Sequence, residues 1–204
     1  MNRATRTAAA ALGVYAGLLG AAHGFYEVIQ GGVRTEGIMF NAIGPPCLAS
    51  KTAHACLPAM SLIPNLQTTG ILAVLLGLIM VIWAAAFIQR KLGGPVMILL
   101  SILLLLVGGG FIPPMIGILS GVVGSRINAP LSGRRLSERV SHNLARLWPW
   151  SMVAFFAWIL IQMISGSLFA DFVLKTGSLN LFIEFGLVVL AVLSAFANDM
   201  RDKP

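Results

Sequence analysis

Residues 92–125, LGGPVMILLSILLLLVGGGFIPPMIGILSGVVGS, form an uncharged run on which the arrangement of the rest of the chain depends. About 20 apolar residues cross a hydrocarbon core of roughly 30 Å, so this run is too long for a single straight span. Three glycines at 108–110 are followed, two residues later, by two consecutive prolines. Glycine commonly ends a helix, and proline fits the first turn of the next one. The run therefore predicts a short helical hairpin, 92–107 and 113–126, broken at GGGFIPP.

The composition indicates a membrane protein. Of the 204 residues, 57% are hydrophobic and 10% are charged, whereas about 25% are charged in typical soluble domains. The net charge of +7 does not indicate nucleic-acid binding, because the cationic residues lie at the ends of apolar runs, where they determine membrane topology. We expect lipid, not nucleic acid, as the partner.

The fold class that we predict is an all-α integral membrane protein, a bundle of about six membrane segments in one polytopic domain. Glycines four residues apart in the first span, at 13 and 17 and at 20 and 24, predict close helix packing, with a dedicated dimer contact as the alternative. Besides the central pair, the expected parts are a span at 8–30, an outer loop at 31–64, a span at 65–89, a cytoplasmic basic segment at 127–148, a span at 149–170 and a last span at 178–198.

The distribution of charge predicts the orientation. If the central run is a hairpin, 11 of the 14 cationic residues share one side, and only Arg34, Lys51 and Lys175 lie opposite. If the run is one long kinked span, the split becomes 5 against 9. Cytoplasmic loops carry an excess of lysine and arginine, so the rule favours the hairpin. We therefore expect the cell membrane as the location, with both termini in the cytoplasm.

The basic segment at 134–147 has the pattern of an amphipathic interfacial helix. Its apolar face carries Leu136, Val140, Leu144 and Leu147, its polar face carries Arg135, Arg139, His142 and Arg146, and Trp148 and Trp150 follow. Such helices lie in the membrane interface, where tryptophan is also enriched. The pattern predicts contact with anionic lipid headgroups. The alternative is a topology anchor without lipid specificity.

The two cysteines, Cys47 and Cys56, both fall in the expected outer loop. Disulfides form and persist on that side of the membrane, so we expect the two to be bridged. His54 lies between them, but three ligands at this spacing fall short of a structural zinc site. We assign no metal and leave any cofactor open.

Three ionisable side chains within apolar segments form the candidate polar site. His23 and Glu27 share one face of the first span, and Glu184 lies six residues after Ser178 in the last span. At 1.5 Å rise per residue, His23 and Glu184 both lie about 10 Å below the outer helix ends. Such groups are costly in a bilayer and usually face protein or water. The structural alternative is that His23 pairs with Glu27 and that Glu184 bonds to a neighbouring helix.

No nucleotide-binding, zinc-hydrolase or serine-hydrolase motif occurs in the sequence. Three functional classes remain. The first, which is the function we expect, is an accessory or scaffold subunit packing against a membrane partner or a second copy of the chain, and the other two are alternatives. The second is a carrier or pore for a small solute or protons, using the polar site beside the broken helix. The third is an intramembrane enzyme acting on a lipophilic substrate, with His23 or a glutamate as the acid–base group.

Overall fold

The computed structural model describes residues 1–35, 37–41, 57–129 and 138–201. These ranges contain the following helices and strands, numbered in chain order. They are α1 (Arg3–Ile29), β1 (Met39–Asn41), β2 (Pro58–Met60), α2 (Leu66–Ala86), α3 (Gly93–Leu106), α4 (Ile112–Gly124), α5 (Glu138–Leu147), α6 (Trp150–Leu168), α7 (Ala170–Lys175) and α8 (Gly177–Arg201).

Four of these helices, α1, α2, α6 and α8, are long and apolar enough to cross a membrane. Helices α3 and α4 are equally apolar but have only 14 and 13 residues. At 1.5 Å rise per residue, α3 reaches about 21 Å, less than the thickness of a typical hydrocarbon core. The mostly helical membrane fold agrees with the sequence, whereas the count of six membrane segments stays a prediction.

The central run folds as two helices, and its break lies at the predicted glycines. Gly94, near the start of α3, packs against Gly121 and Ser125 at the end of α4. The two ends of the run are therefore adjacent, and α3 and α4 lie antiparallel. This contact is incompatible with one long kinked helix.

Two compact units make up the chain, and the first, the hairpin unit, comprises Ala9–Leu48 and His54–Ser125. Helices α1 and α2 lie antiparallel in it, with Gly17 beside Gly77 and Gly24 beside Gly70. A Cβ atom at Gly24 would lie 2.5 Å from the Gly70 carbonyl oxygen, so only glycine allows this approach. The glycine spacing in the first span thus serves packing within the chain.

Hydrogen bonds join the remaining helices of the hairpin unit. Trp83 Nε1 donates to the Gly93 carbonyl at 2.9 Å, and Ser120 Oγ donates to the Ala9 carbonyl at 2.7 Å. Asn65 caps α2, since its Oδ1 accepts a hydrogen bond from the Thr68 amide at 2.9 Å. These bonds hold α1 to α4 and α2 to α3.

The expected outer loop contains regular structure that the all-α prediction did not include. Strands β1 and β2 pair antiparallel, with Met39 opposite Met60 and Asn41 opposite Pro58. Each strand has three residues, which is too short for alternation of apolar side chains to mark it in the sequence. Cys47 and Cys56 lie outside the described residues, so the disulfide stays a prediction.

The second unit, the C-terminal unit, comprises residues 126–204 and the first eight residues of the chain, together with a short segment outside the described ranges. Helices α5 and α6 pack against α8 in it, and the Ser151 and Ser194 hydroxyls are 2.6 Å apart. The last helix extends beyond the predicted end of the last span at residue 198. Helix α8 continues to Arg201, and Asp199 is buried.

Asp199 caps the first turn of α1. Its carboxylate accepts hydrogen bonds from the Ala4 amide at 3.0 Å and from the Thr5 amide and hydroxyl at 2.7 Å each. The first amides of a helix have no partner within the helix, and a carboxylate there also complements the helix dipole. The end of α8 therefore stabilises the start of α1.

Candidate polar site at the helix break

The last two turns of α1 carry the polar pair. His23 and Glu27 are four residues apart and share one face of the helix. Helix α1 ends two residues after Glu27, and Gly31 follows with a positive φ of 79°. The Glu27 side chain has no exposed surface, and that of His23 is 8% exposed.

The other half of the site is the backbone of the break between α3 and α4. Gly108 and Gly110 have φ angles of 90° and 74°, in the left-handed region that costs other residues about 1–2 kcal/mol. The Gly109 amide donates to the Leu104 carbonyl at 2.9 Å and so closes the end of α3. Two prolines occupy the first turn of α4, as the sequence predicts.

The polar pair packs directly against these two glycines. A Cβ atom at Gly108 would overlap the Glu27 carboxylate, and one at Gly110 would lie 2.7–2.9 Å from three atoms of the His23 ring. The glycines therefore do more than turn the chain. They bring bare backbone against both ionisable side chains and leave no room for another side chain.

Neither member of the pair has its polar atoms satisfied. Glu27 Oε1, Glu27 Oε2 and His23 Nδ1 are all buried, and no described residue gives any of them a hydrogen bond. The structural alternative of a His23–Glu27 hydrogen bond is therefore not what the structure contains. A buried polar group without a partner costs free energy, and ionisable side chains within membrane helices usually face protein or water.

A short backbone ladder covers the break. The Gly108 amide donates to the Met60 carbonyl at 2.9 Å, and the Leu62 amide donates to the Leu106 carbonyl at 3.0 Å. Ser61 lies between these bonds, opposite Val107. Its hydroxyl is 2.5 Å from that of Thr69 on α2, so the segment after β2 is fixed to both α2 and the break.

A cavity of about 420 Å³ is lined in part by residues of this ladder. Ser61 and Leu62 belong both to the ladder and to the cavity lining. The residues that line the cavity are Arg34, Thr35, Gly37, Ile38, Ser61, Leu62 and Pro64.

Comparison with known proteins gives no relative. No family model matches the chain, and neither a curated protein nor a solved structure is similar to it. The site must therefore be interpreted from its own chemistry.

The ionisable groups that the structure places at the break are the Glu27 carboxyl and the His23 imidazole. Within the ranges that the structure describes, no three histidine, cysteine or acidic side chains are close enough to hold a metal ion. A carboxyl group and an imidazole one turn apart can each take up or release a proton.

The third predicted member of the site belongs to the C-terminal unit. Glu184 lies on α8 and is half-buried there. The structure thus brings His23 and Glu27 together at the break, and the meeting of Glu184 with them stays a prediction.

The structure describes some of the residues that the sequence predicts at the lipid interface. Arg139 and Arg146 on α5 are exposed, as is Trp150 at the start of α6, and Trp148 is half-buried. Arg135 lies outside the described residues. Of the predicted apolar face, Val140 and Leu147 are 46% and 42% exposed and Leu144 is half-buried, and Leu136 lies outside the described residues.

Proposed function

We propose that this protein is a membrane carrier that couples protons to the movement of a small solute, with His23 and Glu27 as the proton-exchanging groups. One observation carries the proposal. Three polar atoms of the pair are buried without partners at a backbone break in a helical hairpin. Backbone breaks at membrane depth are typical of transporter binding sites, where they lie against protein or water.

The glycine contacts also support this function. Because Gly108 and Gly110 bring backbone against the two side chains, a small movement of the break changes the surroundings of both groups. A carrier requires such a coupling, since its proton site must face each side of the membrane in turn. The ladder between residues 60–62 and 106–108 contains two hydrogen bonds, and we propose that they open and close during the transport cycle.

An accessory or scaffold role, which the sequence alone favours, is the second candidate. The observation in its favour is that the apolar windows of α6 and α8 are only 22% and 28% buried, against 50% in α1. Lipid or a partner helix would cover these faces. The enzyme alternative gains no further support from the described residues.

Proton flux in liposomes tests the proposal. The purified protein is reconstituted around a pH-sensitive dye, a pH gradient is imposed, and the flux is measured across a panel of small solutes. Glu27→Gln keeps the size of the side chain but cannot exchange a proton, so we expect it to fold normally and to lose solute-dependent flux. Asp171→Asn, at an exposed position on α7, is the matched control and should retain it.

Normal flux in Glu27→Gln would contradict the carrier. Glu184→Gln in the same assay tests the predicted third member. Loss of flux would place Glu184 in the transport cycle, and unchanged flux would remove it from the site.

A further inference from the structure

The cavity beside the ladder has two kinds of wall. Arg34 and Thr35 supply polar side chains, and Ile38, Leu62 and Pro64 supply apolar ones. Ser61 lines the cavity too, but its buried hydroxyl pairs with that of Thr69. Its volume of about 420 Å³ lies in the range typical of small-molecule sites, and it is open to the surface, because Arg34, Ile38 and Leu62 are all exposed. A ligand that fills it should therefore have a polar end and a short apolar part.

The charge of the cavity lining indicates the chemistry of the ligand's polar end. Among the described residues of the lining, Arg34 is the ionisable one, and it is exposed. A guanidinium matches the geometry of a carboxylate with two parallel hydrogen bonds. Thr35 contributes a further hydroxyl that can donate to an anion.

The position of the cavity links it to the polar pair. Ser61 and Leu62 line the cavity and also face Val107 and Leu106 across the ladder. The next residue, Gly108, packs against the Glu27 carboxylate. Neighbouring strands are about 4.8 Å apart, so about one backbone layer separates the cavity wall from the glycine break.

We propose that this cavity binds a small monocarboxylate with a short apolar tail, and that this anion is the solute carried with a proton. The inference rests on the proposed carrier function. A carboxylate alone is costly to move through a low-dielectric interior, whereas a carboxylate and a proton together have no net charge. Glu27 takes up the proton and releases it on the other side, so charge balances over one cycle.

Equilibrium binding tests the inference without any transport. Sodium butyrate is titrated into the protein in lipid nanodiscs, and the shift of the unfolding midpoint gives the affinity, because a ligand that binds only the folded state stabilises it. Butyramide is the neutral probe of the same shape, and sodium sulfate is the anion without a tail. Butyrate should raise the midpoint, and the other two should raise it far less.

Two experiments test the polar and the apolar lining of the cavity separately. Arg34→Gln should weaken butyrate binding by about 10- to 150-fold, the range for a hydrogen bond to a charged group, while Arg90→Gln, another exposed arginine, should not. Acetate, propionate and butyrate should gain affinity by about fourfold for each added CH₂.

Several results would overturn the inference. If butyramide binds as well as butyrate, the carboxylate is not recognised. If sulfate binds as well, the apolar tail is not recognised. If Arg34→Gln binds butyrate like the wild type, the cavity is not the binding site. The inference and the carrier can also fail separately. If butyrate binds through Arg34 but Glu27→Gln keeps full flux, the assignment of the cavity as a carboxylate site is supported and the carrier mechanism is contradicted. If flux requires Glu27 but butyrate does not bind, only the cavity assignment fails.

Discussion

Replacing Glu27 by leucine should stabilise this protein. The carboxylate has no exposed surface, and neither oxygen has a partner among the described residues. An unsatisfied buried polar group costs about 1–3 kcal/mol, so Glu27→Leu should gain roughly that amount. Leucine has one heavy atom fewer, so it does not push on Gly108. At about 2–4 °C per kcal/mol for a chain of this size, the unfolding midpoint should rise by about 2–12 °C.

Thr69→Val is the matched control for this prediction. Thr69 is equally buried, but its hydroxyl pairs with that of Ser61. Removing a satisfied hydroxyl should lower the free energy of unfolding by about 1 kcal/mol. Both variants are compared with wild type by tryptophan fluorescence during heating in the same detergent. If Glu27→Leu is destabilised as much as Thr69→Val, the carboxylate has a structural partner and the reasoning about the polar pair is wrong.

Three further predictions concern the ends of the helices and the membrane. Asp199→Ala should lose about 1.5–3 kcal/mol of stability in a denaturation series, whereas the exposed Asp171→Ala should change little; equal effects would contradict the cap. Single cysteines near Arg134 and Ser178, in a variant without the native cysteines, should be labelled from the cytoplasm and from outside respectively; external labelling of the first would overturn the hairpin orientation. Native mass spectrometry should detect retained anionic lipid, falling by about fivefold for each α5 arginine changed to glutamine; equal retention of zwitterionic lipid would contradict the headgroup contact.

Local signals in the sequence were sufficient to locate the helices of the hairpin unit. Three glycines and two prolines mark the break between α3 and α4, because each residue type has a fixed conformational preference that does not depend on distant contacts. Asn65 marks the start of α2 for the same reason. The four-residue interval between His23 and Glu27 likewise determines that they share a face.

The contacts of these residues could not be predicted in the same way. Gly108 and Gly110 read as a helix stop, and nothing local shows that their bare backbone lies against Glu27 and His23. Asp199 lies just beyond the predicted last span, and nothing local indicates that it caps α1, because its partner Thr5 is 194 residues away in the chain. Such contacts depend on how helices pack, and a pattern along one segment does not contain that information.

The most direct test of the central claim is chemical modification of Glu27 during transport. A hydrophobic carbodiimide reacts with protonated carboxyl groups in apolar surroundings, and a carrier must expose its proton site in each cycle. Among the seven acidic residues, mass spectrometry should find Glu27 modified in proportion to the loss of proton-coupled flux in liposomes. Loss of flux without modification of Glu27, or full modification with normal flux, would contradict the assignment of Glu27 as the proton-exchanging group.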